Sequence, residues 1–179
     1  AKKSLGQNFI FDENILRKIV GFAGDISAGQ VLEIGPGPGG LTQAILEAGA
    51  TKVVAVEKDP RFSPILNELR ELFPNRLSVL MKDALELNLR EITASPLKII
   101  ANLPYQISTA VLIKWLNEEI CHSNCKSLTL MFQKEVAERI VAGPGSKKRS
   151  RLSLMTELHT DAKIVLTIPP GCFTPKPKV

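Results

Sequence analysis

With 179 residues, 44% hydrophobic content and a net charge of +5, the chain has the composition of one folded domain, able to bury about two-thirds of its unfolded surface. No segment approaches the roughly 18 uninterrupted apolar residues of a membrane span, and the basic start Ala1-Lys2-Lys3 runs into polar Gly6-Gln7-Asn8 instead of an apolar signal core. A membrane protein is therefore not expected; a cytoplasmic or organelle-matrix location is, and the positive charge points to a polyanionic partner.

In chain order, Asp12 to Phe22 predicts an amphipathic helix with Asp12 as N-cap and Ile15, Leu16, Ile19 and Val20 as its buried stripe. Apolar runs at Val31–Ile34, Val53–Val56, Leu77–Met81, Ile99–Ala101 and Leu128–Phe132 predict buried parallel strands. Helical spacing falls between them, at Leu41–Ala48, Arg61–Phe73, Thr109–Glu118 and Lys134–Val141. That alternation predicts an α/β fold, a Rossmann-like doubly wound and mostly parallel sheet, with ligands at the strands' C-terminal ends. Leu152–His159 is predicted as a further helix and Ala162–Ile168 as a sixth strand, ended by Pro169-Pro170-Gly171.

Cys121-His122-Ser123-Asn124-Cys125 is the only cluster with metal-ligand chemistry, and outside it stand only His159 and Cys172. A four-ligand zinc site is not predicted; reduced thiols in a helix-to-strand loop are. Basic residues gather at Lys147, Lys148, Arg149 and Arg151 and again at Lys176 and Lys178, either as a nucleic-acid surface or as solvated loops.

Glu33-Ile34-Gly35-Pro36-Gly37-Pro38-Gly39-Gly40 joins the first strand to a helix, and its glycines allow a tight turn and close approach to a ligand. The spacing satisfies both Gly-x-Gly-x-Gly and Gly-x-Gly-x-x-Gly, so alone it leaves methyl transfer and hydride transfer open. Glu57 ends the second strand, twenty residues past Gly37, where a carboxylate accepts from both hydroxyls of a ribose; the competing reading is an ion pair with Lys58. Asp83 follows the third strand, placed for an adenine amino group with Ala84 leaving room beside the ring, or else serving as an N-cap. Gly35, Gly37, Glu57, Lys58, Asp83 and Ala84 form the predicted cofactor site.

Asn102-Leu103-Pro104-Tyr105 follows the apolar run Leu97–Ala101 and sets an amide, main-chain carbonyls and an aromatic ring at a strand's end, a pocket for a planar amine. An exocyclic adenine amine is a weak nucleophile because its lone pair is conjugated into the ring. The Asn102 side-chain oxygen and the carbonyl of Leu103 or Pro104 would each hold one N–H while Tyr105 stacks on the ring.

The tetrapeptide resembles the Asn/Asp-Pro-Pro-Tyr motifs of amino-group methyltransferases. In its Asn-Leu-Pro-Tyr form it is similar to the KsgA family of dimethyladenosine transferases acting on small-subunit ribosomal RNA. Leu5-Gly6-Gln7-Asn8-Phe9-Ile10, Met131-Phe132-Gln133-Lys134-Glu135-Val136 and Arg151-Leu152-Ser153 extend the resemblance over nearly the whole chain, with Ile10, Arg149 and Ser150 departing from the family's usual residues. It implies S-adenosyl-L-methionine as cofactor, with Asn8, the backbone of Ile10, Gly35 and Asn102 at its methionine end. Two methyls would pass to each of two adjacent adenosines in the 3′-terminal hairpin of small-subunit rRNA during ribosome biogenesis, by a monomer. Phe173 is implied on the face of the target base opposite Tyr105, with core packing as the competing reading.

In that family the Phe-x-Pro-x-Pro-Lys-Val stretch at Phe173–Val179 enters a seventh strand, and a small helical RNA-binding domain follows. Both are expected to be missing from residues 1–179, which are read as the catalytic domain of a longer protein. Three alternatives stay open: a large-subunit rRNA methyltransferase of the antibiotic-resistance type, usually carrying Asn-Ile-Pro-Tyr; an RNA-binding assembly or transcription factor on the same fold; and a dinucleotide-dependent dehydrogenase.

Overall fold

The alternation of apolar runs and amphipathic stretches folds into a five-stranded parallel sheet with helices on both faces. The computed structural model describes residues 8–92, 96–118 and 123–177. Its elements are β1 (Phe9–Ile10), α1 (Glu13–Gly21), β2 (Gln30–Ile34), α2 (Gly40–Glu47), β3 (Val53–Glu57), α3 (Ser63–Leu72), β4 (Leu77–Met81), β5 (Leu97–Asn102), α4 (Tyr105–Asn117), β6 (Cys125–Met131), α5 (Lys134–Ile140), α6 (Arg151–His159) and β7 (Phe173–Thr174). The sheet order is β4-β3-β2-β5-β6, while β1 and β7 form a separate antiparallel pair.

Strands β2 and β3 are buried along their whole length, as parallel strands covered on both faces are. Alternation divides their side chains between two cores. Val31, Val53, Ala55 and Ile100 face α1 and α2, whose Leu16, Ile19, Val20, Leu41 and Ile45 complete that layer. Leu32, Ile34, Val54, Val56, Ile99 and Ala101 face Leu87, Leu89, Val111 and the fully buried Trp115. Asp12 caps α1 as predicted, its carboxylate accepting from the N–H groups of Asn14 and Ile15.

Chain direction places the functional ends. The order reverses at β2, which has β3 on one side and β5 on the other, so the C-terminal ends of β2 and β5 flank a crevice at the topological switch point.

The predicted sixth strand over Ala162–Ile168 is not formed: residues 161–169 carry no regular secondary structure. Their alternation is nevertheless used, because Leu166 and Ile168 pack on the first core while Ile164 and Val165 are exposed. An apolar alternation supplies the packing of a strand, but a ladder also needs a partner backbone, and none pairs with it among the described residues. Several boundaries also move, two of them by three or four residues. Helix α4 starts at Tyr105 instead of Thr109, since the Pro104 carbonyl accepts from Ile107 and Ser108 N–H, and β6 starts at Cys125 instead of Leu128. Cys121 and His122 lie outside the described residues. Among those described, no helix is long and apolar enough to cross a membrane.

Candidate active site

The crevice is lined by Asn8, Phe9, Gly35, Gly37, Glu57, Asn102, Leu103, Pro104 and Tyr105; it holds about 40 Å³ and is partly open to solvent. It brings together residues from four separate stretches of sequence, each delivered by the end of a strand or by the short arm before α1.

The glycine turn forms one wall. Gly35, Gly37 and Gly39 all take positive φ (68°, 54° and 85°), where a Cβ meets the following carbonyl, so the loop needs glycine at these points. At Gly37 the space is also spoken for, because a Cβ there would lie 2.5 Å from Cε1 of Phe9. That ring packs edge-on against Phe62 at 5.6 Å between centroids.

Glu57 forms the floor. Its Oε2 accepts from Gly37 N–H at 3.0 Å and its Oε1 from Asp59 N–H at 2.7 Å. Backbone N–H groups on both oxygens hold the carboxylate still. Burial raises its pKa, and the N–H groups of Asp59, Gly37 and Lys58 oppose that rise. The predicted alternative, an ion pair between Glu57 and Lys58, is not what forms. Lys58 Nζ bonds instead to Asp83 Oδ2 at 2.6 Å. Asp83 Oδ1 accepts from Leu85 N–H at 3.0 Å, so it also plays the turn-capping part foreseen as its alternative. Its pKa is lowered, first by the Lys58 hydrogen bond and then by Leu85 N–H. Ala84 is buried in the second core, and neither it nor Asp83 or Lys58 lines the crevice.

The acceptor wall comes from β5 and the first residue of α4. Asn102 ends β5, Leu103 turns its side chain into the second core at 1% exposure, and Tyr105 opens α4 with its phenol pKa raised by burial. The Pro104 carbonyl accepts the first helical bonds, from Ile107 and Ser108 N–H. Asn102 Nδ2 donates to the Asn8 carbonyl at 2.9 Å. Ile10 lies in the first core, leaving its backbone as the part able to meet a ligand. Phe173, opposite Ile10 in the β1–β7 register, packs against that core and does not line the crevice.

Two residues carry no assigned role in the sequence reading. Phe9 lies in the arm before α1, and nothing in the sequence joins it to Gly37. Glu33 signals itself as a carboxylate inside an otherwise apolar strand. It is 1% exposed, and burial pushes its pKa up to about 8, with the Thr42 hydroxyl only partly offsetting the rise.

The donor and acceptor set suits a nucleoside-bearing methyl donor: a glycine turn for close approach, a strand-end carboxylate for a diol, and an amide and ring for a planar amine. The doubly wound sheet is that of the Rossmann-like methyltransferases. It superposes on a dimethyladenosine transferase from Plasmodium falciparum with a TM-score of 0.82 and 32% identity, covering 95% of this chain and 59% of that one. A 23S rRNA methyltransferase, ErmE, gives a TM-score of 0.81 and 28% identity over 96% of this chain and 66% of its own. The family model for ribosomal RNA adenine dimethylase matches residues 1–179, and the chain belongs to that family. Over its whole length it is 52% identical to a protein of Jannaschia sp. (strain CCS1) and 51% identical to one of Roseobacter denitrificans, both named ribosomal RNA small subunit methyltransferase A. It spans 62% and 64% of the lengths of those two relatives.

Proposed function

We propose that this chain is the catalytic domain of an S-adenosyl-L-methionine-dependent rRNA adenine N6,N6-dimethyltransferase, acting in the cytoplasm as a monomer on two adjacent adenosines near the 3′ end of small-subunit rRNA. The observation that carries the reading is the joining of Asn102 and Tyr105 with Gly35, Gly37 and Glu57 in one crevice. The names of the relatives support the substrate.

Bound cofactor supplies an electrophilic methyl on a sulfonium centre. Glu57 accepts from the ribose hydroxyls. Asp83 and Ala84 would flank the adenine, with Asp83 still able to accept while paired to Lys58. Gly35, Asn8 and the backbone of Ile10 hold the methionine end. Asn102 Oδ1 and the carbonyl of Leu103 or Pro104 each accept one N–H of the target amine, drawing its lone pair out of conjugation and toward the methyl. Tyr105 stacks on the flipped base and sets its plane. Phe173 bounds the opposite face only after leaving its core position.

Because the methyl supplied by bound cofactor would already be activated by a positive charge, the amine's proton could leave to solvent after transfer and the crevice's residues would need no strong base. The large-subunit alternative has a structural neighbour in ErmE, but the reading keeps small-subunit RNA on the Leu103 form of the tetrapeptide and the names of the relatives. The test is labelled-methyl transfer by the full-length protein to undermethylated small subunits, with large-subunit RNA as the competing substrate. Label confined to large-subunit RNA would overturn the substrate assignment.

A further inference from the structure

Asn102 cannot act as an acceptor unless its amide is turned the right way, and β5 alone does not determine that. An asparagine amide presents oxygen on one side and NH₂ on the other, and either orientation fits a similar space. Here the choice is made by the Asn8 carbonyl, which can only accept. It lies 2.9 Å from the Asn102 side chain, so the NH₂ must face it and Oδ1 becomes the acceptor on the other side.

The Asn8 carbonyl is itself held by three devices beyond its own residue. The next two residues, Phe9 and Ile10, pair antiparallel with Thr174 and Phe173. On the crevice side the Phe9 ring rests on the bare Cα of Gly37 and against Phe62. Ile10 anchors the far end in the first core at 5% exposure. The arm is thus clamped between the glycine turn and a strand from the other end of the chain, with its carbonyl aimed at the acceptor site.

We propose that Phe9 is a positioning residue for the acceptor amide. By seating β1 on Gly37 it holds the Asn8 carbonyl where it turns Asn102, so that Oδ1 and not NH₂ meets the target amine. The proposal rests on the reading of Asn102 as acceptor of that amine. It also explains why a two-residue strand, too short to be stable alone, is paired and anchored on three sides.

The test uses the full-length protein, ¹⁵N-labelled, with the Asn102 side-chain amide resonances assigned by their loss in Asn102→Ala. In the wild type the proton donated to the Asn8 carbonyl is expected to exchange slowly with solvent. Phe9→Ala is expected to raise its exchange at least tenfold and to lower kcat about tenfold at saturating cofactor and RNA. Phe9→Leu, which refills the seat, keeps both within about threefold. Asn8→Ala retains the carbonyl and is expected to weaken cofactor binding without releasing the Asn102 amide. Phe62→Ala removes the other half of the seat more gently and stands in for Phe9→Ala if that variant does not fold.

Unchanged Asn102 exchange in a folded Phe9→Ala or Phe62→Ala variant would overturn the proposal, as would released exchange with unchanged kcat. The amide signal is read without turnover, so a wild-type enzyme that transfers no methyl would sink the functional reading while exchange still decides the positioning claim.

Discussion

The carboxylate of Glu57 accepts from Gly37 N–H at 3.0 Å, tying the end of β3 to the glycine turn after β2 before any ligand arrives. With Asp59 N–H on its other oxygen, the group is pre-oriented for a diol. Glu57→Ala should weaken S-adenosylmethionine binding by about 10- to 100-fold, the range expected for losing hydrogen bonds to a charged group. Glu57→Gln should be nearly as damaging, because its NH₂ must face one of two backbone donors. Isothermal titration checks both, and unchanged affinity in Glu57→Gln would remove Glu57 from the ribose site.

Gly37→Ala places a methyl in the left-handed region and 2.5 Å from the Phe9 ring. The backbone term is about 1–2 kcal/mol, seen as a lower midpoint in thermal unfolding. Displacement of Phe9 should add a loss of cofactor affinity that a remote glycine of positive φ, such as Gly145, does not show on the same substitution.

Glu33 supplies a pH signature. Its folded pKa of about 8 lies above the ordinary value of 4.5, so the folded state retains a proton that the unfolded state releases between those limits. Stability should therefore fall as pH rises from about 4.5 to about 8 and level off above, with Glu57, also raised by burial, contributing in the same direction. Glu33→Gln removes the larger share, and its advantage over the wild type should grow to several kcal/mol by pH 8. Denaturant midpoints across that pH range measure it, and parallel curves for the two proteins would contradict the assignment.

Much of this was legible in the sequence because buried parallel strands are apolar runs, as Val31–Ile34 and Val53–Val56 are in β2 and β3; Leu77–Met81 is β4 to the residue, but as an edge strand of the sheet it buries only Leu77 fully, and Asp12 caps α1 as its position before an amphipathic stripe implies. The glycine turn and Glu57 were legible because their spacing follows from strand-to-helix geometry. Less could be read where a contact joins distant segments. Nothing local tells that Phe9 seats on Gly37, that Lys58 bonds Asp83 instead of Glu57, or that Phe173 packs in a core beside Ile10. The sixth strand failed for the same reason, since apolar alternation reports side-chain burial and not the presence of a partner backbone.

The basic loop divides into structural and available charge. Arg149, expected to add phosphate-binding charge, donates to the Ala142 carbonyl and pairs with Glu157, closing the turn between α5 and α6. Lys148 pairs with Glu138. Arg149→Ala should therefore lower thermal stability while leaving the salt dependence of RNA binding unchanged, whereas Arg151→Ala should reduce the log–log salt slope by about 0.7–0.9 if it meets one phosphate. Equal slopes for the two variants would place no RNA phosphate at Arg151.

The most direct test of the central claim is labelled-methyl transfer by the full-length protein to undermethylated small ribosomal subunits, comparing wild type with Asn102→Ala and identifying the product nucleoside. The account predicts dimethyladenosine from the wild type, and at least a hundredfold slower transfer by Asn102→Ala with cofactor affinity changed far less. Dimethyladenosine formed at the wild-type rate by Asn102→Ala would contradict it, because among the described residues lining the crevice Asn102 is the one amide side chain at the end of β5.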